Sequence, residues 1–283
     1  MIKSINYWSF PGGLEGTLDP REAIRMAKEH GFQGIELGIG DSGGLHLGST
    51  EAECKALRQA AEQAGLKMET AATGLYWDRA LGDLDQDKRA KAKQDLEAMI
   101  RITSWLGAKT LLFIPGAVEV FFLPERPIYP YDEVLKYARE GIEQALPRAE
   151  QHGVTLAIEN VWNKLFMSPT ELRDFIDSFS SPFLGAYIDV GNVLPFGFPE
   201  QWIRILRNRI RAVHFKDFRK SVGTADGFVD LLEGDVNWPE VMAALREIGY
   251  QGSVAAEMIP GYKHHPMVRI ANTSHAMDAI LGC

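Results

Sequence analysis

Cysteine is scarce in this chain: among 283 residues, only Cys54 and the terminal Cys283 carry a thiol. Two cysteines supply neither a disulfide framework nor the clustered thiolates of a structural zinc site. Such scarcity is typical of proteins in the reducing cytoplasm, and we therefore expect a cytoplasmic protein.

Long apolar runs are missing as well. No stretch approaches the roughly 20 uninterrupted apolar residues of a membrane-spanning helix. The N-terminal sequence MIKSINYWSFPGG also lacks the basic stretch followed by an apolar run that a secretion signal has.

Positive charge is in deficit too, because the formal net charge is −8. Nucleic-acid-binding proteins usually present a net basic face. We therefore expect neither a membrane nor a nucleic acid as a partner.

Apolar residues are plentiful, at 46% of the chain, and their order predicts the fold. Eight short apolar segments alternate with longer segments of helical period, which predicts eight pairs of strand and helix. The predicted strands are Ile2–Phe10, Gly34–Ile39, Lys67–Thr73, Thr110–Pro115, Thr155–Val161, Ala186–Val190, Ala212–Phe215 and Ser253–Met258. The predicted helices are Asp19–His30, Thr50–Ala64, Asp87–Leu106, Tyr131–His152, Pro169–Phe179, Pro199–Asn208 and Trp238–Ile248, followed by an irregular last helix.

Glycine marks the ends of several predicted helices, since this residue readily adopts the left-handed conformation that closes a helix. The glycines concerned are Gly31, Gly65, Gly107, Gly153 and Gly249. Strands without polar alternation indicate a parallel sheet covered by helices, and eight units favour a closed barrel over an open sheet. The GxGxxG turn of a dinucleotide site is absent after the first strand. The sequence therefore predicts an α/β protein, a single (β/α)8 TIM barrel domain over residues 1–283.

Four predicted strands carry at their C-terminal ends a polar residue that can bind a metal ion. These residues are Glu159 on strand five, Asp189 on strand six, His214 on strand seven and Glu257 on strand eight. In a TIM barrel, the C-terminal strand ends point side chains into the catalytic mouth. A lone acid at such a position is more often a helix cap or a member of an ion pair. Four in successive units favour one shared site.

A divalent cation explains this set of side chains. Three carboxylates in one half-buried cavity repel one another unless a cation holds them. We therefore predict one divalent metal ion bound by Glu159, Asp189, His214 and Glu257. Oxygen-rich ligation with a single nitrogen suits Mn²⁺ or Mg²⁺, while Co²⁺, Fe²⁺ and Zn²⁺ also occupy such sites.

These strand ends, together with the sequence ENVWNK at residues 159–164, resemble the xylose isomerase-like barrel superfamily. The resemblance runs over nearly the whole chain. This superfamily includes ketose 3-epimerases such as D-tagatose 3-epimerase, hydroxypyruvate isomerase, inosose dehydratases and endonuclease IV. The Glu, Asp, His and Glu metal ligands of the ketose 3-epimerases match Glu159, Asp189, His214 and Glu257 in order and in strand context.

The resemblance implies a metal-dependent isomerase or epimerase of a sugar, a keto-sugar or a sugar phosphate. In such enzymes the metal chelates a carbonyl oxygen and an adjacent hydroxyl, and a carboxylate removes the proton from the neighbouring carbon. The resemblance also implies that Glu159 and Glu257, which flank the substrate carbon in the epimerases, are the catalytic acid and base. The expected partner is a small sugar or polyol.

Other polar residues near the predicted mouth are candidates for substrate contact. Lys216 follows strand seven and either stabilises an enediolate or binds a substrate anion, or else forms an ion pair with Asp217. Glu36, at the end of strand two, resembles another mouth acid of the superfamily or belongs to a structural ion pair. Asn160 and Asn192 either bind sugar hydroxyls or orient the metal ligands.

Aromatic residues crowd the loops after several predicted strands. Trp8, Trp77 and Trp162 are candidates for a wall that stacks on sugar faces, although scattered aromatic residues more often belong to the core. The segment Gly116–Tyr131, rich in Phe and Pro, is predicted to be a lid or a subunit contact, which leaves a homo-oligomer open. The sequence HHP at residues 264–266 lies beyond the last strand and is predicted to be a loop rather than a metal site.

Departures from the epimerase pattern keep other functions open. Asn192 stands where these epimerases usually carry a His, and the sequence NKL at residues 163–165 stands where they carry a second Glu. A metal-dependent keto-polyol dehydratase of the inosose type is therefore the alternative. Two minor alternatives are an endonuclease IV-like phosphodiesterase, for which histidines at the ends of strands two and three are missing, and a non-catalytic sugar-binding barrel.

Overall fold

Strands and helices alternate along residues 1–282, which the computed structural model describes; Cys283 lies outside the described residues. The strands are β1 (Ile2–Asn6), β2 (Gly34–Gly38), β3 (Thr70–Ala72), β4 (Thr110–Phe113), β5 (Thr155–Glu159), β6 (Leu184–Asp189), β7 (Ile210–Phe215), β8 (Asp217–Phe218), β9 (Phe228–Val229) and β10 (Ser253–Ala256). The helices are α1 (Pro20–Glu29), α2 (Glu51–Gln63), α3 (Gln86–Trp105), α4 (Tyr131–His152), α5 (Pro169–Asp177), α6 (Val190–Val193), α7 (Pro199–Leu206), α8 (Trp238–Glu247) and α9 (Pro266–Leu281).

Eight of these strands form a closed barrel in the order β1-β10-β7-β6-β5-β4-β3-β2. Each neighbouring pair is parallel, and β1 closes the barrel against β10. The predicted (β/α)8 barrel is therefore confirmed. The two remaining strands, β8 and β9, form a small antiparallel hairpin after β7.

The strands are apolar because both of their faces are covered. All six residues of β6 and all four residues of β4 are buried. Such burial on both faces is expected where helices pack outside a parallel sheet and side chains fill the barrel inside. The register sets the polar strand ends at one level, since Asp189 on β6 pairs directly with His214 on β7.

Helix ends follow the sequence signals. Thr50 and Glu53 form a capping box at the start of α2, in which each side chain accepts a hydrogen bond from the other residue's backbone. Helix α4 ends at Gly153, which has a φ of 63° and so adopts the left-handed conformation predicted for it. Most predicted helices begin and end within two residues of their predicted positions.

The structure also differs from the predictions in several places: β3 begins three residues later than predicted, β6 and β7 begin two residues earlier, and the short helix α6 was not predicted. The predicted first strand, Ile2–Phe10, stops at Asn6, because a short 3₁₀ turn follows at Tyr7–Ser9. The β8-β9 hairpin was not predicted. The last helix, expected to be irregular, is the continuous 16-residue helix α9. Within residues 1–282, no helix is long and apolar enough to cross a bilayer.

Candidate metal centre and active-site cavity

The four predicted ligands come together at the C-terminal mouth of the barrel. Glu159 ends β5, Asp189 ends β6, His214 lies near the end of β7, and Glu257 directly follows β10. One ligand atom from each side chain lies within 4.8 Å of the others, and all four residues are buried. Within residues 1–282, no other group of three or more His, Cys, Asp or Glu side chains converges in this way.

A hydrogen-bonded carboxylate behind His214 orients its ring. Nε2 of His214 lies 2.7 Å from Oε1 of Glu36, and Nδ1 lies 3.3 Å from Oε1 of Glu159. Glu36 in turn accepts hydrogen bonds from Asn6 Nδ2 and the Tyr187 hydroxyl, each at 2.6 Å. If the Nε2 proton is donated to Glu36, Nδ1 keeps its lone pair toward the cluster. A metal-ligating histidine is typically oriented by such a carboxylate.

An unsatisfied oxygen in the cluster fits a metal ion. Oδ2 of Asp189 is buried and has no hydrogen-bond donor among the described residues. Its contact with Lys216 Nζ, at 3.3 Å, has the distance of an ion pair without hydrogen-bond geometry. A buried polar atom without a partner costs free energy, and coordination removes that cost. With three carboxylates and one imidazole, the donor set suits a hard or borderline divalent cation.

Lys216 pairs with the cluster and not with its neighbour Asp217. The Lys216 ammonium contacts Glu257, and the pKa of Lys216 is raised because the surrounding carboxylates outweigh the opposing effect of burial. The alternative Lys216–Asp217 ion pair is therefore wrong. Asp217 accepts hydrogen bonds from the backbone N–H groups of Leu232 and Val236, as well as from the Trp238 indole, and thereby fixes the loop after β9.

Without a cation in the cluster, the two glutamates have pKa values on opposite sides of their usual range. The pKa of Glu159 is raised to about 7, because burial and the Glu257 carboxylate together outweigh the opposing effect of His214. Burial also acts on Glu257, but the charges of Lys216 and His214 outweigh it and lower its pKa. Two carboxyl groups with separated pKa values are suited to the roles of acid and base.

The two asparagines connect the ends of β5 and β6. Asn160 donates to the backbone oxygen of Asp189 and accepts from its backbone nitrogen, each at 2.9 Å. The backbone nitrogen of Asn192 donates to Oδ1 of Asp189, and its side chain donates to the backbone oxygen of Asn160. The Asn160 bonds hold the backbone of Asp189, and the backbone N–H of Asn192 holds its carboxylate. Asn192 also lines the cavity above the cluster, whereas Asn160 does not.

A cavity of about 690 Å³ opens above the cluster. Glu159, Glu257 and Lys216 line it, together with Trp8 and Trp77. Glu36, by contrast, is fully buried beneath His214 and lies outside the lining, so its position serves the metal ligand and not a substrate.

Five rings form one side of the cavity, here called the aromatic wall: Trp77, Phe122, Phe121, Trp162 and Phe228. Neighbouring ring centroids are 5.0 to 5.6 Å apart along this series. Trp77 and Trp162 were predicted for such a wall. Phe228 was missed, because it lies in the two-residue strand β9, which leaves no periodic signal in the sequence.

The predicted lid segment Gly116–Tyr131 lies over this cavity and carries Phe121 and Phe122. Arg126 donates to the backbone oxygen of Trp77 at 2.6 Å and to the Asp83 carboxylate at 2.9 Å. The Tyr129 hydroxyl donates to the same carboxylate at 3.0 Å. The Asp83 side chain is fully buried, so the segment is tied to the loop after β3 by a desolvated ion pair. His264 and His265 lie in the loop before α9, as predicted, whereas Pro266 is the first residue of that helix.

Relatives of known name are sugar-phosphate epimerases. The sequence model of the xylose isomerase-like TIM barrel family matches residues 24–278. A putative L-ribulose-5-phosphate 3-epimerase of Haemophilus influenzae is 26% identical over 256 residues, which cover 88% of this chain and 87% of that protein. The L-ribulose-5-phosphate 3-epimerase of Salmonella paratyphi C is 23% identical over 253 residues, which cover 88% and 86%.

Solved structures share the fold along the full chain. A D-psicose 3-epimerase, crystallised in the presence of D-fructose, superposes with a TM-score of 0.80 at 18% identity and full coverage of both chains. The 3-keto-D-glucoside 4-epimerase of E. coli gives a TM-score of 0.77 at 16% identity, again with full coverage. At these identities the likeness shows the fold alone. The family match over nine-tenths of the sequence goes further: this chain belongs to the xylose isomerase-like TIM barrel family.

Proposed function

We propose that this protein is a divalent-metal-dependent epimerase or isomerase that moves a proton on the carbon next to the carbonyl group of a sugar. One observation carries the proposal: of the four clustered ligands, Glu159 and Glu257 line the cavity, while Asp189 and His214 are completely buried behind them. A substrate in the cavity can therefore reach two carboxylates that are able to take or give a proton, those of Glu159 and Glu257. The named epimerase relatives support the same activity.

When bound, the cation supplies Lewis-acid polarisation of the substrate carbonyl. Glu257, with its lowered pKa, is ionised and is the proposed base that takes the proton from the substrate carbon. Glu159, the other cluster glutamate that lines the cavity, is the proposed acid. Delivery of a proton to the opposite face of the same carbon gives an epimer, and delivery to the adjacent carbon gives an isomer. Lys216 presents a positive charge beside Glu257, where negative charge builds up on the substrate.

The remaining proposed residues position this machinery. Glu36 sets the direction of the His214 ring, Asn160 holds the backbone of Asp189, and the backbone N–H of Asn192 holds its carboxylate. Trp8, Trp77 and Trp162 present ring faces to the cavity, on which the C–H groups of a sugar can stack.

The test combines metal analysis with proton exchange. The purified protein is analysed for bound metal, then incubated in deuterated water with ketopentoses, ketohexoses, inososes and their phosphates. We expect deuterium to enter at the carbon next to the carbonyl only when metal is bound. Exchange that is equally fast after complete metal removal would refute the proposal. The absence of exchange with every compound would favour the non-catalytic barrel.

A dehydratase of the inosose type is the second candidate, and Asn192 favours it, because this residue lines the cavity where the ketose 3-epimerases usually carry a His. Both reactions begin with removal of the proton next to the carbonyl group, and in the dehydratase a hydroxyl group then leaves as water from the adjacent carbon. The products distinguish the two reactions. An epimerase or isomerase leaves the mass of the substrate unchanged in ordinary water, whereas a dehydratase removes one water molecule, which mass spectrometry detects.

A further inference from the structure

We propose that the substrate is an uncharged keto-sugar carrying a second ring, as in a keto-disaccharide or a glycoside, and not a sugar phosphate. This inference rests on the proposed function and specifies the substrate class for the same site. The volume of the cavity, its charge and its aromatic wall each support it. It distinguishes this chain from the relatives whose names specify L-ribulose 5-phosphate.

The cavity is too large for a single sugar ring. Its volume is about 690 Å³. A hexose has about twelve non-hydrogen atoms, and even at the roughly 30 Å³ that each water molecule occupies in the liquid, it would fill only about 360 Å³. A molecule of two linked rings fills about twice that volume. With one ring above the cluster, the cavity therefore has room for a second.

The lining has no cation available for a phosphate group. Lys216 is the sole Lys or Arg among the described residues that line the cavity, and its ammonium is held by carboxylates of the cluster. With a divalent cation bound, the positive charges of Lys216 and the metal balance the three carboxylates of the ligand set. Toward the rim lie the acids Glu15 and Asp41, and Arg79, which contacts Asp41, is also paired with the buried Asp95. Phosphate sites, by contrast, typically use Arg, Lys or helix N-termini.

On the side of the aromatic wall, the rim of the cavity is apolar. Phe121 and Phe122 are almost half exposed, at 44% and 47%, although they pack against Trp162 and Trp77. When a ligand covers exposed aromatic rings beside a binding cavity, burial of their apolar surface contributes to the binding free energy. A sugar ring presents C–H groups on its faces. These groups pack against aromatic rings more favourably than a phosphate dianion does.

Three ketoses that differ in the group on O6 test the inference: D-fructose, D-fructose 6-phosphate and isomaltulose, which carries a glucosyl ring at that oxygen. Each is titrated into manganese-loaded protein, and binding is followed by tryptophan fluorescence, since Trp8, Trp77 and Trp162 line the cavity. Exchange of the C3 proton in deuterated water is measured in parallel by NMR. We expect isomaltulose to bind at least about tenfold more tightly than fructose, as burial of one further ring face allows. Fructose 6-phosphate should bind no more tightly than fructose.

Variants of the aromatic wall locate the second ring. Phe121→Ala and Phe122→Ala should reduce the affinity for isomaltulose several-fold more than the affinity for fructose, and so reduce the preference for isomaltulose. The matched control is Phe198→Ala, since Phe198 is 54% exposed but lies outside the cavity lining. This control should keep the full preference.

The outcomes separate the inference from the proposed function. Tightest binding of fructose 6-phosphate, through backbone N–H groups of the glycine-rich loops, would overturn the inference, as would equal binding of all three ketoses. If the Phe121→Ala variant changes the oligomeric state and not the preference, a second copy covers the aromatic wall, and the inference is also overturned. A clear preference for isomaltulose without exchange of any proton would support the inference and count against the proposed function.

Discussion

Glu159 and Glu257 differ from the other ligands because they face the cavity, and this difference can be measured. Replacement of either by Gln keeps the size of the side chain and one oxygen that can bind metal, but removes the ability to take a proton. We expect Glu159→Gln and Glu257→Gln to retain measurable metal and to lose at least about 100-fold in kcat, the contribution typical of a general acid or base. Activity and metal content are measured on the same preparations.

The matched control for these variants is Glu15→Gln, which removes a cavity carboxylate outside the cluster. It should keep both metal and turnover. If a Gln variant of Glu159 or Glu257 binds metal and turns over at nearly the native rate, that glutamate is structural, and proton transfer must be assigned to another residue such as Lys216.

Metal affinity should depend on pH, because protons and metal compete for the same atoms. The pKa of Glu159 is raised to about 7, mainly by burial, and that of His214 lies well above its usual value, because Glu36 and Glu257 outweigh burial. The protonated forms predominate at low pH, so affinity falls as the pH decreases through 7. Each proton released contributes about a tenfold change per pH unit.

Calorimetric titration with Mn²⁺ between pH 5.5 and about 8.5, in buffers of different ionisation enthalpy, counts the released protons. In Glu159→Gln the proton of residue 159 is gone, so the pH dependence should be shallower by about one proton. An unchanged slope in this variant would show that Glu159 carries no proton in the metal-free protein.

Single residues also show what the sequence can and cannot give. The convergence of Glu159, Asp189, His214 and Glu257 was predictable, because each follows an apolar run whose end must face the mouth of a barrel. The partners of Lys216 were predictable in principle, since residues two apart in an extended segment point the same way, and Lys216 therefore follows His214 into the cluster. The hydrogen bond between Glu36 and His214 could not be predicted, because it joins strands that are remote in sequence.

At the scale of elements, the lid segment Gly116–Tyr131 depends on one buried carboxylate. Asp83→Asn removes the charge that pairs with Arg126 and weakens the bond from Tyr129. Loss of one partner from a buried ion pair typically costs about 3 to 5 kcal/mol, and here that cost acts locally on the segment. We therefore expect a several-fold higher KM, unchanged metal affinity, and faster chymotrypsin cleavage after Phe121 or Phe122.

Glu125→Gln is the control for this variant, because Glu125 is an exposed acid of the same segment. It should leave both the cleavage rate and KM unchanged. Cleavage of Asp83→Asn at the native rate would mean that the other contacts of the segment suffice to hold it.

The apolar pattern of the sequence predicted the strands and helices of the barrel, but not the very short elements. Strands and helices were found because burial on both faces gives continuous apolar runs and amphipathic helices repeat at their own period. The first strand was predicted four residues too long, because apolar composition continues into the 3₁₀ turn at Tyr7–Ser9, whereas β6 and β7 begin two residues before their predicted starts. The hairpin of β8 and β9 has two residues per strand, too few for any periodicity.

At the scale of the whole molecule, metal should raise thermal stability. Three buried carboxylates lie close together in the cluster, and a cation that binds only the folded state shifts the unfolding equilibrium by mass action. At a metal concentration 1,000 times Kd, the expected gain is about 4 kcal/mol. Thermal unfolding with Mn²⁺ and with a chelator measures it. The Asp189→Ala and His214→Ala variants, each one ligand short, should lose most of the shift, and a wild-type protein with no shift would contradict metal binding at this site.

The closure of the barrel by β1 and β10 has a consequence for synthesis. Ile2 pairs with Ser253, so the first strand made must wait for the last barrel strand before its edge is covered. Glu257 comes immediately after that last strand, and its backbone nitrogen bonds to Phe215 of β7 only once the strand has docked. A chain still on the ribosome therefore holds at most three ligands for most of its translation. The complete ligand set therefore forms only when the barrel is closed, and full metal affinity should appear together with the folded barrel.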